Sequence, residues 1–472
     1  MNGQLVSTRD SSRKEFSYSD ALLQGLAPDG GLYWPVEFPH ISVDDLVQLK
    51  DIPYPELAFR TKRRFVDESV PSNEIAEQTR RAYSIKNFPV RNGNIVPVLQ
   101  IRERLFVQNL SLGPTAAFKD MALQQLAQEM SYELARRQAR LVLLGATSGD
   151  TGSSAEAAFK GNDLITLIML SPQIGMSAFQ KAQMGLFSGG NIHNLGVDAR
   201  FDPCQRMVKE VKSDPEFADL GAVNSINWGR ISSQVPYYVS GYLQAASKIG
   251  EPVDFVVPSG NFGNILAGYV AKRMGIPIRR LIVATNENNV LAKLVKTGVY
   301  EVTPTQITSS PSMDISEASN YERLAFELLG RDPKKLKDYM AKFKKDKKVD
   351  LTEFNLTPQV FRDNGFYAGS STHKDRLRTI KRLYDSRKLI IDTHTADGVK
   401  VAFDYQEFGV PMVVMETALP VKFEATIEEA LGFVPKRELR FAGLEERVPK
   451  GAFYNIPEDT NLLKDYIRKH RN

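Results

Sequence analysis

Lys119 stands in the stretch Ser111-Leu112-Gly113-Pro114-Thr115-Ala116-Ala117-Phe118-Lys119-Asp120, directly after a predicted strand. Gly113 and Pro114 make the turn there, and a helix is expected to begin near Phe118. A lysine in a first helical turn meets the positive end of the helix dipole. That placement lowers the ammonium's pKa, which a nucleophilic Schiff-base lysine requires. The plainer reading, a surface lysine that its helix tolerates, holds for most lysines. A second loop, Ala146-Thr147-Ser148-Gly149-Asp150-Thr151-Gly152-Ser153-Ser154, again joins a strand to a helix. Its hydroxyls, glycines and helix N-terminus offer convergent N–H and O–H donors to a carboxylate or phosphate. Capping explains one or two of these residues but not the density of small polar ones.

The third loop is Pro258-Ser259-Gly260-Asn261-Phe262-Gly263-Asn264. Glycines there let the backbone approach a phosphate closely, and the following helix directs its dipole at it. It is not a Walker loop, because no Gly-Lys-Ser/Thr follows, and the Gly-x-Gly-x-x-Gly spacing of a dinucleotide fingerprint is absent. Taken alone, it also reads as a bare glycine turn. The fourth loop, Met415-Glu416-Thr417-Ala418-Leu419-Pro420-Val421-Lys422-Phe423, offers Thr417 to a ring nitrogen and Lys422 to an anion. Either also reads as a loop residue with no ligand. The combination is more specific than any one loop. A Schiff-base lysine, a phosphate cup and an anion-binding loop, all at strand ends, are the parts of a pyridoxal-phosphate site.

The elements that must position these loops follow an α/β rhythm from about residue 95. Strands are predicted at Leu105–Leu110, Leu141–Ala146, Leu164–Leu170, Asp254–Val257, Leu281–Thr285, Leu389–Asp392 and Met412–Met415. Mostly apolar runs of this kind suit a parallel sheet buried on both faces, and ligands of such sheets sit at the carboxyl ends of the strands. Residues 1 to about 90 read as a separate entry region. It holds a short helix through Ala21–Leu26 capped by Ser19 and Asp20, a turn at Pro28–Gly31, and helices at Val43–Lys50 (cap Ser42) and Asn73–Ile85. In the lysine-rich stretch Lys334–Lys348, Leu336, Tyr339, Met340 and Phe343 recur at helical spacing, so the lysines form a solvated face.

Composition narrows the function classes. A chain of 472 residues suggests two or three domains, and 42% hydrophobic with 25% charged residues is ordinary for a soluble globular protein. The net charge of +5 is small and unfocused, so no nucleic-acid groove is expected. A single cysteine, Cys204, rules out an intramolecular disulfide framework and suits a reducing compartment; it reads as structural. With no apolar segment near the start and no apolar run long enough to cross a bilayer, a cytoplasmic protein without membrane partners is expected. The five histidines, His40, His193, His373, His394 and His470, are scattered and include no pair at metal-ligand spacing, so no metal is expected. Each reads as a surface or structural residue, with His394 the one exception to consider. No Gly-x-Ser-x-Gly elbow occurs.

The segments resemble the threonine synthase family, within the fold-type-II, tryptophan-synthase-like group of pyridoxal-phosphate enzymes. The likeness begins at Val6–Arg9 and Asp29–Tyr33 and runs through Gly113–Asp120, Ala146–Gly152, and Ser225–Trp228 with Arg230 and Gln234. It continues through Ser259–Asn264, Pro311–Ile315 and Asp392–Ala396. Pro311–Ile315 and the long segment after it are similar to the longer, bacterial and fungal type. The resemblance implies that Lys119 holds pyridoxal 5'-phosphate, that Gly260, Asn261, Phe262, Gly263 and Asn264 bind the cofactor's phosphate, and that Thr417 faces the pyridine nitrogen. It implies that Ser148, Gly149, Asp150 and Thr151 receive the substrate's carboxylate or lie against the cofactor ring, and that Arg230 and Lys422 meet the substrate's phosphate. Arginine's fixed fork is a physical reason to rank Arg230 first. Two positions depart from the pattern: Leu419 stands where many relatives carry histidine, and Asp150 where the wider group more often has asparagine.

The implied reaction takes O-phospho-L-homoserine and water to L-threonine and phosphate, in a monomer or homodimer. The implied organisation is a large pyridoxal-phosphate domain (91–120 and 236–472), an inserted small subdomain (121–235) and an N-terminal domain (1–90). Rival readings are a phospholyase that makes a 2-keto acid, ammonia and phosphate, and a non-catalytic binding protein that kept the fold. A threonine or serine dehydratase fits the long N-terminal region and Pro311–Ile315 poorly.

Overall fold

The computed structural model describes residues 3–471, so Met1, Asn2 and Asn472, at the ends of the ranges assigned above, lie outside the described residues. Two parallel-rich sheets organise the chain. The larger has the strand order Phe366–Ser370, Ile278–Thr285, Val253–Pro258, Met412–Met415, Leu105–Gln108, Val98–Arg102, and only the last pair is antiparallel. The smaller runs Tyr454–Ile456, Ile192–Val197, Ile165–Pro172, Leu141–Ala146, Gly221–Ala222, all parallel. A small antiparallel sheet of Glu15–Phe16, Leu5–Ser7 and Tyr33–Pro35 lies near the N-terminus. Central strands such as Val253–Pro258 and Met412–Met415 are buried along their whole length, as helices on both faces of a parallel sheet require.

Two expectations are corrected. Leu389–Asp392 is not a strand but a link between the helices His373–Arg387 and Thr393–Tyr405. Its apolar residues pack on the large-sheet core, and a run that short looks the same in a strand and in a buried connection. The C-terminal segment does not belong wholly with the large sheet: Tyr454–Ile456 pairs with Ile192–Val197, and Leu463 and Ile467 of the helix Thr460–His470 enter the small-sheet core. Trp34 and Phe65 of the N-terminal region pack on Trp228.

Other differences are local. The first helix is Tyr18–Gln24, and its cap is Ser17, whose side chain accepts from Asp20 N. The strands Ile192–Val197 and Phe366–Ser370 were not anticipated, since His193, Asn194 and two glycines dilute their apolar pattern. Pro333–Asp346 is a helix that buries Leu336, Tyr339 and Phe343 and leaves Met340 half-buried. Cys204 is buried on the helix Phe201–Ser213, and burial pushes its thiol up to about 11. Among the described residues no helix is long and apolar enough to cross a membrane, and no group of three or more His, Cys, Asp or Glu side chains is arranged to hold a metal.

Candidate active site

Lys119 is the first residue of the helix Lys119–Arg136, at the carboxyl end of Leu105–Gln108. The loop before it is held from two sides. The Asp120 carboxylate accepts from Thr115 N (2.8 Å) and Thr115 Oγ1 (2.7 Å), which closes the turn. A Cβ on Gly113 would fall 2.5 Å from Asp120 Oδ2, so this close approach needs glycine. Ala116 takes a left-handed φ of 59° and is stitched to the fourth loop: Leu419 N donates to Ala116 O (3.0 Å) and Phe118 N to Thr417 O (2.9 Å). A non-glycine residue in that conformation is retained only where its surroundings overdetermine it, and such residues gather at functional sites. Arg440 Nη1 donates to the carbonyls of Leu112 and Gly113, each at 2.8 Å.

The Lys119 ammonium faces Asp150, with Nζ 3.4 Å from Oδ2. Asp150 begins the helix Asp150–Phe159, after Gly149 at φ 135°. Its carboxylate meets Lys422 Nζ at 2.8 Å and accepts from Gln180 Nε2 at 3.0 Å and Ser312 Oγ at 2.9 Å. Burial alone would raise this carboxyl, but Lys422 and Lys119 hold it well below the usual carboxylate range. Burial lowers the Lys119 pKa; Asp150 opposes that shift, while the positive charges of Lys422 and Arg230 add to it. The result is an amine biased toward its nucleophilic, neutral form beside a fixed anion.

Arg230 lies on the short helix Trp228–Ser232. Among the described residues its Nε and Nη1 have no hydrogen-bond partner although both are buried, and burial brings the guanidinium down to about 10. A buried guanidinium without an anion is costly, so this fork is shaped for a ligand.

The third loop joins Val253–Pro258 to the helix Gly263–Arg273. Phe262 caps that helix at φ 65°, and its ring stacks on Phe366. Asn264 Oδ1 accepts from Tyr237 and Tyr238 hydroxyls at 2.7 and 2.8 Å, while its buried Nδ2 has no partner among the described residues. Gly260 packs so closely on the turn Pro311–Met313 that a Cβ would lie 3.1 Å from Met313 Cα. Gly263 is half-buried, and Asn261 is exposed, with its carbonyl accepting from Asn320 N. An orphaned amide and a helix N-terminus make a donor set suited to a phosphate monoester, so the residues present fit pyridoxal phosphate.

Thr417 Oγ1 donates to Asp392 Oδ1 at 3.1 Å. The same carboxylate caps the helix Thr393–Tyr405, receives the Thr395 hydroxyl and lies 3.0 Å from His394 Nδ1. Ser312 N donates to His394 Nε2 at 3.0 Å. His394 is therefore a buried structural link with both ring nitrogens engaged. Sequence reasoning assigns no site role to Asp392, Ser312, Gln180 or Arg440; the local signals were an aspartate just before Thr-His-Thr, a helix-cap pattern, and the likeness at Pro311–Ile315 and Asp392–Ala396. Of the residues singled out from sequence, Lys119, Gly149, Asp150, Arg230 and Lys422 converge on one locus, with Thr417 joined to it through Asp392, His394 and Ser312. Thr151 is half-buried in the first turn after Asp150, and Ser148 is exposed.

Comparison with known proteins agrees over nearly the whole chain. Residues 4–83 match the model of the threonine synthase N terminus, 90–341 that of pyridoxal-phosphate dependent enzymes, and 395–467 that of the threonine synthase C-terminal region. The threonine synthase of Corynebacterium glutamicum is 45% identical over 98% of this chain and 97% of its own length. That of Saccharomyces cerevisiae is 36% identical over 90% and 88%. Among solved structures, a PLP-bound threonine synthase from Brucella melitensis superposes with a TM-score of 0.92 at 39% identity, covering 99% of both chains. Yeast threonine synthase superposes at 0.91 and 31% identity, covering 100% and 99%.

Proposed function

Since the chain belongs to the threonine synthase family and is a pyridoxal-phosphate-dependent lyase of amino-acid biosynthesis, we propose that its substrate is O-phospho-L-homoserine and that Lys119 carries the cofactor. The observation that carries this reading is the buried, unpartnered guanidinium of Arg230, whose charge is felt at Lys119 together with that of Lys422. A site with two cations and one anion beside a reactive amine suits an amino acid that bears a dianionic group.

In this reading the loop Gly260–Asn264 binds the cofactor's phosphate and Thr417 meets its ring nitrogen. Bound there, pyridoxal phosphate supplies an electron sink for charge developing on the substrate's carbons. Arg230 and Lys422 hold the substrate's phosphate and stabilise it as the Cγ–O bond breaks. Ser148, Gly149, Asp150 and Thr151 orient the carboxylate end and the ring. Lys119, whose ammonium form is disfavoured by burial and by its cationic neighbours, moves protons at Cα and Cβ. The proton taken from Cβ ends on Cγ, the water's hydroxyl on Cβ and its proton on the departing phosphate, so O-phospho-L-homoserine plus water balances L-threonine plus phosphate.

Product analysis tests the reading. Purified holoenzyme given O-phospho-L-homoserine is expected to release phosphate and L-threonine in equal amounts. Phosphate with 2-ketobutyrate and ammonia, and no threonine, would make it a phospholyase on the same scaffold. A cytoplasmic monomer or homodimer completes the proposal, and light scattering of the holoenzyme reads the oligomeric state.

A further inference from the structure

Arg230 sits on a helix of 5 residues, Trp228–Ser232, too short to hold its own geometry. What fixes that turn comes largely from the N-terminal region. Lys62, the last residue of the helix Tyr54–Lys62, is 1% exposed. Its Nζ donates to Ser232 Oγ at 2.7 Å, Ser233 Oγ at 2.8 Å and Gly229 O at 3.3 Å, and lies 3.1 Å from Glu129 Oε1. Asn227 Nδ2, just before the turn, donates to Leu22 O at 2.9 Å. Trp228 is wedged edge-on between Trp34 and Phe65, with ring centroids 5.6 and 5.7 Å away.

A buried ammonium is an expensive way to fill space, because an apolar side chain of similar volume often stabilises a fold as well or better. Its best-attested use is to specify register. Here all three hydrogen bonds of Lys62 end on residues that flank Arg230 in sequence, while Glu129 neutralises the charge. Lys62 therefore acts on the Arg230 turn through geometry rather than through its field.

We propose that Lys62 is a positioning residue for substrate phosphate: by clamping Gly229, Ser232 and Ser233 it sets the angle at which Arg230 presents its unpartnered fork. This rests on the reading of Arg230 as a phosphate-binding residue, and it gives the N-terminal region a part in the active site.

The single variant Lys62→Met leaves Glu129 buried without its cation, so the informative protein is the double variant Lys62→Met/Glu129→Gln, which removes both charges. The probe is inorganic phosphate as an inhibitor of the holoenzyme, with the cofactor's absorbance read alongside and Arg230→Gln as reference. Small displacements of positioning groups cost up to about 100-fold, so phosphate affinity in the double variant is expected to fall about 10-fold or more. KM should rise by more than kcat falls, with the cofactor's absorbance intact. Unchanged phosphate affinity in the double variant, when Arg230→Gln has lost it, would overturn the proposal. An equal loss of cofactor binding would mark Lys62 as general scaffold and overturn it too. If Arg230→Gln itself binds phosphate normally, the assignment of Arg230 fails, and the role of Lys62 fails with it.

Discussion

At the scale of single residues, the site is governed by which buried charges find partners. Asp150 is the only anion that directly pairs with Lys119 among the described residues, and its charge favours the ammonium. Replacing Asp150 with Asn removes that effect and leaves the positive charges of Lys422 and Arg230, so the Lys119 pKa falls further. The rate at which apoenzyme takes up pyridoxal phosphate should then keep its plateau to lower pH than in the wild type. A profile shifted to higher pH would contradict the electrostatic account.

Glu416 shows the opposite balance. Asn109 Nδ2 and the Leu110 and Ser111 amides all donate to it, yet burial and the nearby Asp392 push it up to about 7. Its folded pKa lies above its unfolded one, so its contribution to stability is fully present below about pH 4.5 and is lost as pH rises through about 7. One pKa unit corresponds to about 1.4 kcal/mol, so wild type should lose up to about 3 kcal/mol across that window relative to Glu416→Gln, as read by denaturant unfolding.

At the scale of elements, the turn Pro311–Met313 bridges parts that are distant in sequence. It packs on Gly260, receives its backbone anchor from His394 and sends the Ser312 hydroxyl to Asp150. A hydrogen bond to a charged group contributes about 1.5–3 kcal/mol, so Ser312→Ala should lower kcat/KM about 10-fold or more while the protein stays folded. Ser312→Thr, which keeps the hydroxyl, should recover most of that loss. A variant with wild-type kcat/KM would show that Asp150 is placed by Gln180 and Lys422 alone.

At the scale of the whole molecule, the C-terminal chain crosses from the large sheet back to the small one. Removing residues 451–472 would strip the edge strand Tyr454–Ile456 from Ile192–Val197 and uncover the pocket that Ile456, Leu463 and Ile467 fill. Each buried side chain of this size contributes about 1.5–3 kcal/mol, so the truncated protein should lose roughly 4.5–9 kcal/mol from the small sheet. Hydrogen exchange is expected to quicken in Ile192–Val197 well before Met412–Met415. Uniform quickening in both sheets would mean that they unfold as one unit.

The α/β class and the strand–loop–helix units are legible in single segments, and so are the loops that hold Lys119, Asp150 and Thr417. These are local facts: an apolar run of strand length, a glycine turn and a lysine in a first helical turn are all written within about ten residues. Folding in three dimensions set Asp150 against Lys119 and Lys422 together, left Arg230 without a partner among the described residues, and linked Thr417 to Asp150 through Asp392, His394 and Ser312. It also packed Trp34 and Phe65 of the N-terminal region on Trp228 and joined the C-terminal strand to the small sheet. Each of these depends on residues separated by tens to hundreds of positions. Which such groups meet is set by strand order and packing, and the periodicity of a single segment carries no record of either.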